Sequence, residues 1–215
     1  EKLSEFEINK DLFAGIEGRI LFLEGDFSAA IPKLKQFYLA KPVSNSATYL
    51  AYALEANNQK SEAITLLEQF AAKEQIEHKI NPRVSLSLAN MYLAEHQDKA
   101  IVEYERLIKV IPESVVALNN LSWLYMEQEK YKQALKYSKL AYKVNAKIPN
   151  VVDTYAQVLL RSNNKSAAID KAEEAFKLSK GKDIDIALNY AETLIANSKI
   201  NEAKALLEKI STRTV

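Results

Sequence analysis

Small residues recur at two fixed places along this 215-residue chain. One series is Gly18, Ala51, Ala89, Ser122, Ala156 and Ala191; the other is Ala30, Ala63, Ala100, Ala134, Ala168 and Ala203. The paired members lie 12 residues apart in five cases and 11 in the third, where the intervening turn is one residue shorter. Two antiparallel helices that approach closely need side chains at the contact that do not hold the backbones apart. A leucine there would overpack, at a cost of roughly 1–3 kcal/mol. Large residues flank the first series at Leu50, Leu88, Leu121, Tyr155 and Tyr190, then four residues on at Leu54, Tyr92, Tyr125, Leu159 and Leu194, with Leu21 matching in the first unit. That spacing is the stripe of a packed helical face.

Breaker clusters separate the two series: Gly25-Asp26, Asn57-Asn58, Glu95-His96, Gln128-Glu129, Asn163-Asn164 and Asn197-Ser198. Pro42, Pro82, Pro112 and Pro149 mark the joints between units. The scarcity of Gly and Pro, 4 and 5 in the chain, argues against a loop-rich sandwich, a barrel or a glycine-dependent nucleotide-binding sheet. The pattern predicts an all-α solenoid of about six helix–turn–helix units, each of two helices of about a dozen residues. The units run approximately over 11–43, 44–81, 82–114, 115–148, 149–182 and 184–215, in one array, with 1–10 a lead-in or the end of a preceding helix. About four extra residues near Glu74–Ile80 predict a second helix in the second unit that is longer by a turn. Pro32 falls inside the second helix of the first unit, where it should kink that helix or move its start.

The repeat resembles the tetratricopeptide repeat, most completely across Val115 to Ala146, where Leu118, Leu121, Ser122, Tyr125, Tyr131, Ala134 and Ala141 occupy the favoured places behind Pro112. The resemblance implies a right-handed superhelix whose inner wall is formed by the first helices, with inward positions three before, one after and four or five after the small residue. On that wall it places Tyr52, Asn90, Asn119, Trp123, Asp153, Gln157 and Arg161 as candidate partner-binding residues. Amides offer both donor and acceptor to an extended peptide backbone, and Trp and Tyr supply contact area at low entropy cost. Against this stands a packing reading, in which Tyr52 and Trp123 fill space between repeats and the amides are merely solvated. A carboxylate clamp for chaperone tails is not expected, because its places carry Gly15, Arg19, Tyr49, Arg83 and Ser87.

Lys+Arg 29 against Asp+Glu 28 leaves a net charge of +1 and no global field for nucleic acid. One local stripe stands out: Lys132, Lys136, Lys139 and Lys143, with no acid between 130 and 147. It could touch an acidic partner, phosphate groups or a membrane surface, or it is a solvated convex face. Cysteine is absent, and the two histidines, His78 and His96, each sit by a turn, so no metal site, triad or other catalytic constellation is expected. No glycine-rich phosphate loop occurs, so no cofactor is expected. No run approaches the ~20 apolar residues of a membrane span.

These readings converge on a non-enzymatic scaffold that takes a peptide segment of a partner protein in its concave groove. The rival is a structural or self-associating segment of a larger protein, since Leu206, Leu207 and Ile210 on the last helix lack the polar cap a solenoid end requires. The expectation is that the native chain continues or that this face pairs with another molecule. Within the repeat class, Val151 to Ala156 following Leu118 to Leu124 is similar to bacterial envelope proteins, including lipoproteins of exopolysaccharide and PEP-CTERM sorting systems. That resemblance implies a periplasmic, membrane-anchored protein; without it the cytoplasm is the expectation.

Overall fold

The computed structural model describes residues 2–76 and 80–211, with side chains over 10–74 and 80–211. Among the described residues there are twelve helices and no strand. The chain divides into two compact units, Glu1–Val110 and Ile111–Val215. The first holds α1 (Lys2–Glu24), α2 (Phe27–Ala40), α3 (Ser44–Ala56), α4 (Lys60–Ile76), α5 (Pro82–Tyr92) and α6 (Gln97–Val110). The second holds α7 (Val115–Glu127), α8 (Tyr131–Val144), α9 (Pro149–Arg161), α10 (Lys165–Leu178), α11 (Ile184–Ala196) and α12 (Ile200–Ser211). Within each unit consecutive helices pair as hairpins, and the first helices of successive hairpins lie side by side, α3 against α5 and α9 against both α7 and α11.

The small residues sit where the hairpin helices touch. Ala30, Ala51, Ala63, Ala89, Ala100, Ala134, Ala156 and Ala168 are fully buried. In the fourth hairpin the contact is direct, because the buried Ser122 hydroxyl donates to the Ala134 carbonyl at 3.1 Å. In the first hairpin the contact leaves no room for a side chain. A Cβ added at Gly18 would lie 2.8 Å from Leu34 Cγ and 3.0 Å from the Leu34 backbone nitrogen. Large side chains close the core around these contacts: Leu34, Leu67, Leu88, Tyr104, Leu118, Leu121 and Leu194 are all under 2% exposed.

Each second helix begins three residues before its alanine. The turn leading into it is built the same way in five hairpins, with Gly25, Asn58, Glu129, Asn163 and Ser198 in the left-handed region at φ of 84°, 62°, 56°, 60° and 61°. The next residue's amide then reaches back to the large residue of the preceding stripe, as Gln59 to the Leu54 carbonyl and Lys130 to the Tyr125 carbonyl, both at 2.8 Å. This is the glycine-type helix stop that satisfies otherwise orphaned carbonyls. The third hairpin, one residue shorter, has no positive φ at its turn; His96 donates to the Tyr92 carbonyl at 2.8 Å instead.

Two local expectations meet the structure here. Helix α4 has 17 residues where α2, α6, α8 and α10 have 14, which is the extra turn. Pro32 does lie inside α2, yet the helix still starts at Phe27, capped by Asp26 Oδ1 accepting from the Ala29 amide at 3.0 Å. The start is therefore held by the cap and by the buried Ala30, and the exposed Pro32 ring is accommodated without moving it.

Gly18→Ala introduces a residue that other hairpins use at this place, but it should lower stability by roughly 1–3 kcal/mol in urea denaturation, because the Leu34 backbone cannot retreat. Glu129→Gly should raise stability by roughly 0.5–1 kcal/mol, because the left-handed conformation is costly for a side chain with Cβ and free for glycine.

Candidate functional site

In the first unit the two candidate side chains are tied into the fold. Tyr52 on α3 is half-buried, and its hydroxyl lies 2.6 Å from Ser87 Oγ on α5. Ser87 spends its own proton on the Arg83 carbonyl at 2.9 Å, so Tyr52 is the donor in this pair. Asn90 on α5 is exposed, and its Oδ1 accepts from the Tyr104 hydroxyl at 2.6 Å.

The second unit gathers the other five on α7 and α9, and it adds residues of α11 that were not among the candidate binding residues although the register places them at or beside the wall. Asp153 Oδ2 accepts from Asn189 Nδ2 at 2.8 Å, and Gln157 Nε2 donates to the Asn189 carbonyl at 3.5 Å. Arg161 lies 3.4 Å from Glu192, both about half exposed. Asn189 is thus the hub that locks α9 to α11, through both its side chain and its backbone. Gln157 is 7% exposed and acts here as a packed side chain. Asn119 and Asp153 occupy the same register position in consecutive first helices and are both half-buried. Asn119 Oδ1 and Asp153 Oδ1 are both buried and lack a hydrogen-bond partner among the described residues. One turn along α7 from Asn119, Trp123 is 38% exposed. On α11, Leu188 and Ile195 are half exposed. The wall therefore combines unmet acceptors, an aromatic face, apolar side chains and one solvent-facing ion pair.

An unmet buried acceptor is expensive, and for a carboxylate the expense appears as a displaced pKa. Burial pushes the Asp153 carboxyl up to about 6, against the Asn189 hydrogen bond, with Asp183 and Asp185 adding to the rise.

The basic stripe lies on α8, with Lys132, Lys136, Lys139 and Lys143 all exposed. No carboxylate pairs with them among the described residues, and Lys136 Nζ stands 5.0 Å from the centre of the Tyr137 ring. His96 is exposed and meets the edge of Tyr92, with ring centres 6.0 Å apart; His78 lies outside the described residues. Among the described residues no cluster of His, Cys, Asp and Glu could hold a metal ion, and no helix is long and apolar enough to cross a membrane.

No protein-family model and no curated protein matches the chain. Solved structures do. A tetratricopeptide repeat protein from Parabacteroides merdae superposes with a TM-score of 0.80 at 19% identity, over 95% of this chain and 80% of that one. PilF of Pseudomonas aeruginosa gives 0.76 at 15% identity, over 96% of this chain and 92% of its own. MamA gives 0.69 at 15% identity, over 80% and 93%. What is shared at such identities is the fold, and the chain has the all-α tetratricopeptide-repeat fold.

The Asp153 environment has a measurable consequence. A carboxyl whose pKa is higher folded than unfolded favours the folded state while protonated, and that advantage disappears as pH rises from about 4 to about 6. Asp153→Asn removes the ionisation while keeping an acceptor for Asn189. It should be about 2–3 kcal/mol more stable than wild type at pH 7 and no more stable at pH 3.5, measured by urea denaturation at both.

Proposed function

We propose that the protein is a non-enzymatic binding scaffold and that the wall of α7, α9 and α11 captures a peptide segment of a partner protein. One observation carries the reading: the chain's single tryptophan stands partly exposed one turn from a buried, unmet Asn119 acceptor, and Asp153 repeats that acceptor on the next helix. A peptide backbone carries N–H groups in regular succession and could meet such acceptors after a small side-chain shift, while Trp123, Leu188 and Ile195 would cover its side chains. The Arg161–Glu192 pair sits at the exposed end of the same positions, where it could select charge in the peptide. The structural neighbours, which share this fold, support a role in protein interaction. The resemblance to envelope proteins supports a partner in polymer export or protein sorting.

Because Trp123 is the only tryptophan, its fluorescence reports this wall alone. Peptides selected from a display library on the immobilised protein should change that emission on binding. The double variant Asn119→Ala/Trp123→Ala should bind the same peptides at least tenfold more weakly. Selected peptides that leave the emission unchanged and bind the variant normally would remove the assignment.

A second reading is favoured by the surface of α1. Leu12, Phe13, Ile16, Ile20 and Leu23 fall within one third of the helix circumference and are 41%, 68%, 54%, 50% and 82% exposed. A contiguous apolar face of this kind supports self-association, as Ile200 and Leu207 do to a smaller extent on α12. Sedimentation equilibrium separates the two ends: Ile16→Glu should dissolve an association made through α1, and Leu207→Glu one made through α12. A wild type that is monomeric at high concentration removes this reading.

A further inference from the structure

Equivalent places on two pairs of second helices, α8 with α10 and α4 with α6, differ in an informative way. Between α8 and α10, Tyr142 fills the space. Its hydroxyl donates to the Glu174 carboxylate at 3.0 and 3.2 Å and accepts from Lys171 Nζ at 2.8 Å. Lys171 also pairs with Glu174 at 2.7 Å and stands 4.2 Å from the ring centre. Counted from the repeat alanines Ala134 and Ala168, these residues are the eighth on α8 and the third and sixth on α10.

The same places between α4 and α6, counted from Ala63 and Ala100, hold Ala71, Glu103 and Arg106. The ion pair persists with its charges exchanged, Arg106 Nη1 lying 2.7 Å from Glu103 Oε1. The tyrosine does not persist. Where its ring would lie there is a cleft of about 430 Å³, walled by Ala71, Leu88 and Val102 and reaching Glu103 and Arg106. The Glu103 side chain is only 9% exposed, and its Oε2 is buried with no donor among the described residues. Burial raises the Glu103 pKa, opposed by the Arg106 cation and the Ser85 hydroxyl. Nearby Glu68 is already engaged by the Tyr92 hydroxyl and by Lys99 at 3.1 Å.

We propose that this cleft receives the side chain of a tyrosine from a partner protein, its hydroxyl donating to Glu103 and accepting from Arg106. The arrangement is that of Tyr142 with the polarity of the ion pair reversed, and the ring replaces what α4 lacks at Ala71. Other occupants match less of the site. A hydrocarbon ring leaves Oε2 unmet, an ammonium group has no lone pair to accept from Arg106, and a carboxylate is repelled by Glu103 and cannot donate to it. This surface lies on second helices and does not depend on the α7, α9 and α11 wall.

p-Cresol reproduces the tyrosine side chain and is the first probe, with toluene as its hydroxyl-free counterpart and N-acetyl-tyrosine N-methylamide as the residue within a chain. Ligand-observed NMR titration of the full chain should show saturable p-cresol binding, toluene at least tenfold weaker, and the tyrosine amide binding as p-cresol does. Glu103→Gln should weaken p-cresol at least fivefold. Ala71→Tyr should supply the ring internally, abolish p-cresol binding and raise the melting temperature. Should Ala71→Tyr not fold, Glu103→Gln and the toluene comparison still decide. Equal binding of toluene and p-cresol, undiminished binding to either variant, or no saturable p-cresol binding would overturn the proposal. A tyrosine amide that fails where p-cresol succeeds would overturn the protein partner and leave a free phenol as the ligand.

Discussion

The close crossing of two helices at a pair of small side chains is the interaction on which every hairpin of this protein rests. It fixes how near the helices lie, which fixes where the flanking Leu and Tyr side chains meet, which in turn decides what remains exposed on each face. The first hairpin takes this furthest, with no Cβ at all at Gly18 and the Leu34 backbone against it. In the fourth, Ser122 converts the same proximity into a hydrogen bond to Ala134. The crossing also explains why a left-handed turn residue recurs at one distance before each second helix except the third. With the crossing point set, the number of residues available to reverse the chain is set too, and the shorter turn at Glu95-His96 must close by other bonds.

Most of the fold was legible because small and large residues recur in phase, a signal that survives degeneracy at any single position. Even the start of α2 followed the register despite Pro32, since Asp26 and Ala30 specify it independently. The candidate wall was less legible. Register predicts which positions of a first helix face inward, but not which of those side chains the neighbouring hairpin engages. Tyr52 and Asn90 find partners in Ser87 and Tyr104, and Gln157 is covered, whereas Asn119 and Asp153 keep an acceptor unmet. Those outcomes depend on distances between side chains about 14 to 36 residues apart in sequence. Glu103 carried no clear signal: its register position holds Leu66, Tyr137 and Leu206 in three hairpins but Lys33 and Lys171 in two others, so the pattern does not mark it as a buried charge.

The two surfaces of interest arise from opposite uses of the repeat. On α7 and α9 the polar residues themselves repeat, so equivalent places present equivalent acceptors on successive helices. Between α4 and α6 the repeat is broken, and the position that Tyr142 fills elsewhere is left to alanine. Regularity creates a surface that can follow an extended segment, and its local failure leaves an open cleft between two helices.

Helix α4 carries one further consequence. It is a turn longer than its counterparts, and it docks on α5 more sparsely than α2 docks on α3 within the same unit. In an array where each repeat is stabilised by its neighbours, the weakest junction sets where cooperativity divides. Within the first unit the contact of α4 with α5 is thus the thin one, and a ligand seated between α4 and α6 would add packing at the place where the fold supplies least.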